Sequence, residues 1–179
     1  MHVQVEVPDS LIAQAVAEGL ARASGATSSA PLTRAQTPRF QKYGPSGALP
    51  ESAETWPAVI DNASGLIWPV AAISESATHA EGLQLAAECR AFGKADWRMP
   101  LDVEWATVID RTQHKPALHP DFARLMGESI RPDGHWTSSP DVSAPDCAWY
   151  VDLSYGGVDF NGRVLRLRVR VVRSAVPSQ

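Results

Sequence analysis

Ser138 and Ser139 are the hydroxyls that a hydrolase of this chain would use, but neither lies between the glycines of a nucleophile elbow. His135, beside Trp136, reads as a residue on a strand face and not as a general base. His114 and His119 are five apart in a proline-bearing loop, and no carboxylate completes a metal-ligand pattern around them. Cys89 and Cys147 are the only cysteines, and their spacing matches no zinc site. They form either one bridge or two buried thiols. No catalytic residue, metal or cofactor is therefore expected. The basic stripe Arg166, Arg168, Arg170 could take a phosphate, but it reads better as a solvated or ion-paired sheet face. What remains is recognition chemistry. Asp141, Asp146, Tyr155, Asp159 and Asn161 cluster in late turns, where tyrosine offers large contact area at low entropic cost. These five are the candidate ligand-binding residues.

The elements that must position them alternate between strands and two helices. His2 to Val7 alternates valine with polar residues, as a short strand does, and Ser10 to Ala23 carries a helical apolar stripe. This pair is too small to hold its own core. Val3, Val5, Leu11, Ile12, Val16 and Leu20 are therefore expected to dock on another surface, making residues 1–25 a docking or oligomerisation element. Residues 26–38 are Ser, Thr, Ala and Pro-rich and read as a linker. Residues 39–179 form the main domain. Its first feature is a hairpin, with Val59-Ile60 leading into Asp61-Asn62-Ala63-Ser64-Gly65 and Leu66-Ile67-Trp68 leading out. Thr78 with Glu81 predicts a capping box for a helix whose stripe is Leu85, Cys89 and Phe92. The turn Asp96-Trp97-Arg98-Met99-Pro100 follows, with Pro100 suited to the first turn of a second helix, about Leu101 to Asp110. Residues 111–134 read as a loop, with one short buried turn at Phe122, Leu125 and Met126. Strands are expected at His135–Ser139, Ala148–Leu153 and Val164–Arg173, with Asn161-Gly162 as a hairpin turn before the last. Trp97, Trp136 and Trp149 are expected in the core.

Of the 179 residues, 44% are hydrophobic, enough for one real core. The net charge of −4 argues against broad nucleic-acid binding. Met1 to Val7 shows no basic region followed by an apolar stretch, and no apolar run approaches the roughly 20 residues that span a bilayer. The chain is therefore expected to be made in the cytoplasm without export by the usual route and without membrane insertion.

The ordered set Asp61-x-x-Ser64-Gly65-Leu66-x-Trp68, the Cys89 helix, Asp96-Trp97-Arg98-Met99-Pro100, Trp136-x-Ser138-Ser139, Ala148-Trp149-Tyr150-Val151-Asp152 with Gly157, and Val169-Arg170-Val171-Val172-Arg173 resembles the Lcl C-terminal domain family. The likeness covers about Arg39 to Arg173. It implies an α+β, C-type-lectin-like fold: two helices packed on a twisted, mostly antiparallel sheet. The family commonly has a cysteine at the position of Val171, paired with the helix cysteine. That bridge cannot form here, which fits a reducing compartment. The tripeptides by which sugar-binding C-type lectins hold calcium are absent. Formylglycine-generating enzymes share a related fold but need a reactive cysteine pair, which Cys89 in mid-helix and Cys147 at a strand start do not make.

The expected function is a non-catalytic binding module that presents a loop face to a protein or surface glycan. With the family's phage members in view, it suits a virion component, tail or baseplate-associated, joined to other subunits and to its own copies through residues 1–25. The alternative is an intracellular interaction protein that inhibits a host system.

Overall fold

The computed structural model describes residues 37–175. The expected N-terminal strand and helix, with Val3, Val5, Leu11, Ile12, Val16 and Leu20, lie outside the described residues.

Among the described residues ten short strands and three α-helices alternate irregularly, an α+β arrangement. The strands are β1 (Phe40–Gly44), β2 (Gly47–Ala48), β3 (Ala58–Asp61), β4 (Leu66–Pro69), β5 (Ser74–Ala77), β6 (Gly134–Trp136), β7 (Cys147–Asp152), β8 (Gly157–Gly162), β9 (Leu167–Val169) and β10 (Arg173–Ser174). The helices are α1 (His79–Glu88), α2 (Asp102–Val108) and α3 (Pro120–Met126). Where one sheet was expected there are two, ordered β10-β4-β3-β1-β2 and β5-β9-β6-β7-β8. All pairs are antiparallel except β6 with β9.

In the hairpin β3–β4, expected from the sequence, every strand residue is buried. Its turn is organised by Asp61, which accepts from Ala63 N–H at 3.0 Å and Ser64 Oγ at 2.9 Å, and from Arg39 through both carboxylate oxygens. Burial alone would push this carboxyl up, but those donors outweigh it and hold its pKa below the ordinary aspartate range. Trp68, Trp105 and Phe122 meet behind the hairpin.

α1 begins as expected, with Thr78 and Glu81 completing a capping box. Its inner face is different. His79, Gly82 and Ala86 are buried, Leu85 is 38% exposed, Cys89 caps the C-terminus, and Phe92 lies beyond it. Small residues won because the helix sits very close to the sheet. A Cβ at Gly82 would lie 2.9 Å from Val169 Cγ2.

The Asp96–Pro100 turn clasps the strand end that follows β9. Arg98 and Val172 exchange backbone hydrogen bonds, and Arg173 forms a fork on Asp96 at 2.9 and 3.0 Å. Trp97 is 3% exposed and donates to Ala91 C=O. Arg98 grips Glu104, which reaches back to Leu101 N–H. Pro100 therefore precedes the N-cap Leu101 and is not in the first helical turn.

Further expectations are corrected. The loop of residues 111–134 contains α3, capped by His119. β1 and β2 precede the hairpin expected as the first feature of the domain; Lys42 fits in β1 because its ammonium bonds Glu51 and Ala53 carbonyls. The long C-terminal strand is two short ones in different sheets, so the chain crosses between sheets at Arg170. Arg170 is 1% exposed, bonding the carbonyls of Pro69, Val70 and Ser129, and burial lowers its pKa to about 10. Arg166 and Arg168 are ion-paired instead, with Glu81, and with Glu75 and Asp133. The turn expected at Asn161-Gly162 lies two residues later, at Arg163-Val164, and β8 does not pair with β9.

Candidate functional site

The β7–β8 hairpin carries three of the five candidate ligand-binding residues, Tyr155, Asp159 and Asn161. Asp152 opens its turn as Asp61 opens the other. Asp152 accepts from Ser154 N–H at 2.8 Å and from the Ser154 hydroxyl, while Gly156, at φ +74°, donates back to Asp152 C=O. Paired residues share a face of a sheet, and alternate residues along a strand share it too. One face therefore carries the row Trp136–Tyr150–Asp159 and the row Gly134–Asp152–Gly157. Trp136 is buried edge-on against His79 of α1, and the face comes out into solvent toward β8. The two glycines leave a bare floor on either side of Asp152. Over Gly157 lies the Tyr155 ring, whose Cε2 would be 2.2 Å from a Cβ there. Over Gly134 lean Tyr150 and Leu167, at 3.3 and 3.1 Å by the same measure. Burial pushes the Tyr150 hydroxyl pKa up, and Asp159, Tyr155 and Asp152 push it further.

Tyr155 and Asp159 are thus brought together, with Tyr150 and Asp152 joining them. Tyr155 is 57% exposed. Asn161 lies one alternation further along the same face. Asp146 is exposed at the opposite end of β7. A strand of this length spans about 20 Å, so Asp146 belongs to another region. Asp141 is a correction. It is buried, and its carboxylate accepts from Ser143 N–H, Ser143 Oγ and Ala144 N–H, which hold its pKa low. It is occupied in its own turn and offers little to a ligand. Asp159 and Asn161 are strand residues, and one oxygen of each accepts from the next residue's N–H.

The opposite face carries Trp149 against Phe160, ring centroids 5.6 Å apart. Trp149, expected in the core, is only half-buried, and Phe160 is 50% exposed. The pair lies past the point where Val151 is buried with Trp105 and Val108.

The groups weighed for chemistry are placed elsewhere. Ser139 donates to Asp102 and Ser138 to Met99 C=O. His135 is fully buried, its Nδ1–H directed at Asp133 C=O and its pKa lowered by burial to about 3. His119 packs on Phe40, while His114 is exposed. Among the described residues no group of three or more His, Cys, Asp or Glu is placed to hold a metal ion. Both cysteines are free thiols, and Cys89 packs on the cluster that includes Val171. No helix among the described residues is long and apolar enough to cross a membrane.

A groove of about 410 Å³, lined by Trp56, Val70, Leu125 and Met126 among others, shares Glu128 and Ser129 with a polar neighbour of about 490 Å³. Two of its polar side chains are already engaged: Trp56 donates to Leu125 C=O and Arg124 faces Glu51 and Asp121. The sequence reading missed Tyr150, Asp152 and this groove. Asp152 could have been found from its turn, Asp-x-Ser-x-Gly, which has the same length and the same aspartate and glycine ends as Asp61-x-x-Ser64-Gly65. The groove joins segments about 70 residues apart, and no local pattern announces it.

The Lcl C-terminal domain family model matches residues 57–173, well over half the chain. No curated protein matches it.

Proposed function

From the premise that this chain belongs to the Lcl C-terminal domain family, we propose that it is a non-catalytic binding module of C-type-lectin-like architecture whose β7–β8 hairpin meets a protein or a surface glycan. In this reading residues 1–25 attach the domain to a larger assembly, a phage tail or baseplate being one, and to further copies of itself. The observation that carries the proposal is Tyr155 over Gly157 and Tyr150 over Gly134, beside Asp152 and Asp159 on one face of the sheet. Tyrosine faces pack on sugar rings or on apolar and cationic side chains, and carboxylates accept from hydroxyl or ammonium donors. The hydrolytic alternative gains no support, because Ser138, Ser139 and His135 are each turned to structural partners.

The test is retention of purified envelope glycans and envelope proteins by the full chain and by Tyr155→Ala. The proposal predicts one class retained at least tenfold better by the wild type, with both proteins melting alike. It fails if no envelope component binds, or if Tyr155→Ala binds equally. Specific capture of a soluble host enzyme would favour the inhibitor instead.

A further inference from the structure

Among the described residues β8 is the last strand of its sheet, paired only with β7. An edge of this kind offers unpaired N–H and C=O groups to any other strand, and proteins commonly blunt it. Which groups of β8 point outward follows from β7. Trp149 C=O accepts from Thr137 N–H, so Trp149 turns its backbone toward β6 and away from β8. Its partner Phe160 then points its own N–H and C=O to the outside, and so do Val158 and Gly162, two residues either way.

Two of these three outward donors are covered. Phe160 N–H donates to Asp159 Oδ1 at 2.8 Å, and Gly162 N–H donates to Asn161 Oδ1 at 2.9 Å. Each acceptor is the side chain immediately before the donor. It stands where the carbonyl of an added strand would stand. Val158 has only Gly157 before it, so its donor has no such cover.

Without those side chains the edge suits a second copy of itself. Antiparallel pairing of two β8 strands about Phe160 sets Phe160 against Phe160, and Val158 against Gly162. It sets Asp159 against Asn161, so no like charges meet. We propose that Asp159 and Asn161 mask the outer edge of β8 and so withhold a self-complementary strand-pairing surface from a second copy of this chain. The masking goes beyond the binding role of the hairpin and does not depend on it.

The test uses the full chain and compares mass by light scattering over a concentration series. The double variant Asp159→Ala/Asn161→Ala should form species of at least twice the wild-type mass at concentrations where the wild type does not change. At dilutions where both have the wild-type mass, its Phe160 and Gly162 amides should exchange several-fold faster. Adding Val158→Pro removes the third outward donor and should abolish the new association. Asp159→Asn keeps the oxygen, drops the charge and should behave as wild type. The proposal is overturned if the folded double variant keeps wild-type mass and exchange. It is also overturned if Asp159→Asn associates as strongly, since charge rather than masking would then be responsible.

Discussion

The hairpins β3–β4 and β7–β8 are built on the same turn and put to opposite uses. In each, an aspartate pairs with the residue five positions on, Asp61 with Leu66 and Asp152 with Gly157. In each, the carboxylate accepts from the N–H two residues on and from a serine hydroxyl in the loop. In each, a glycine with φ near +70° donates back to the aspartate carbonyl, at 2.8 and 2.9 Å. The turn chemistry closes the hairpin and decides nothing else. Burial decides the rest. Between Arg39, Trp68 and the helices, every residue of β3 and β4 is buried, while β8 has a continuous exposed run, Asp159 to Asn161. The first hairpin is committed to the core, and the second leaves Tyr155, Asp159 and Phe160 exposed.

The comparison can be broken at four depths. Trp68→Ala, at a fully buried ring, should cost about 3–5 kcal/mol, and Phe160→Ala under about 1 kcal/mol. Chemical denaturation of the two variants checks this, and similar losses would erase the distinction. The two turn glycines should also differ. Gly65→Ala meets nothing within 4 Å and incurs only the left-handed strain, about 1–2 kcal/mol. Gly156→Ala adds a contact of 2.8 Å with Ile109 Cγ2 and should lose roughly 3 kcal/mol in all.

Asp61→Asn should cost about 1–3 kcal/mol at neutral pH. Because its folded pKa is lowered, the Asp61 contribution is fully present above the unfolded value near 3.9 and is lost as pH falls through the folded one. Acid titration of stability should therefore be steeper below about pH 4 in the wild type than in Asp61→Asn. The smallest effect on stability is expected at the exposed hairpin: Tyr155→Ala should change it by no more than about 0.5 kcal/mol by thermal melting.

Local chemistry was legible and burial was not. The Asp-Asn-Ala-Ser-Gly turn, the Thr78–Glu81 box and the structural role of Asp96–Pro100 were readable because each depends on neighbours in the chain. The inner face of α1 was not, because apolar spacing favoured Leu85 and Phe92. Close packing of Gly82 against Val169 chose the other side. Arg166, Arg168 and Arg170 alternate like one strand face, yet the chain leaves one sheet for the other at Arg170 and buries it. Of the five site candidates, Tyr155 and Asp159 meet on one face. Asp141 is spent on its own turn, and Asp146 lies at the far end. Periodicity cannot reveal which end of a hairpin a loop returns to.

The most direct test of the division between the hairpins is binding by Tyr155→Ala, measured beside wild type on the same envelope glycan and protein panel at matched melting temperature. The account predicts unchanged melting and at least a tenfold loss of the retained ligand. Unchanged binding by a normally folded Tyr155→Ala would contradict it and move the functional surface away from the β7–β8 hairpin.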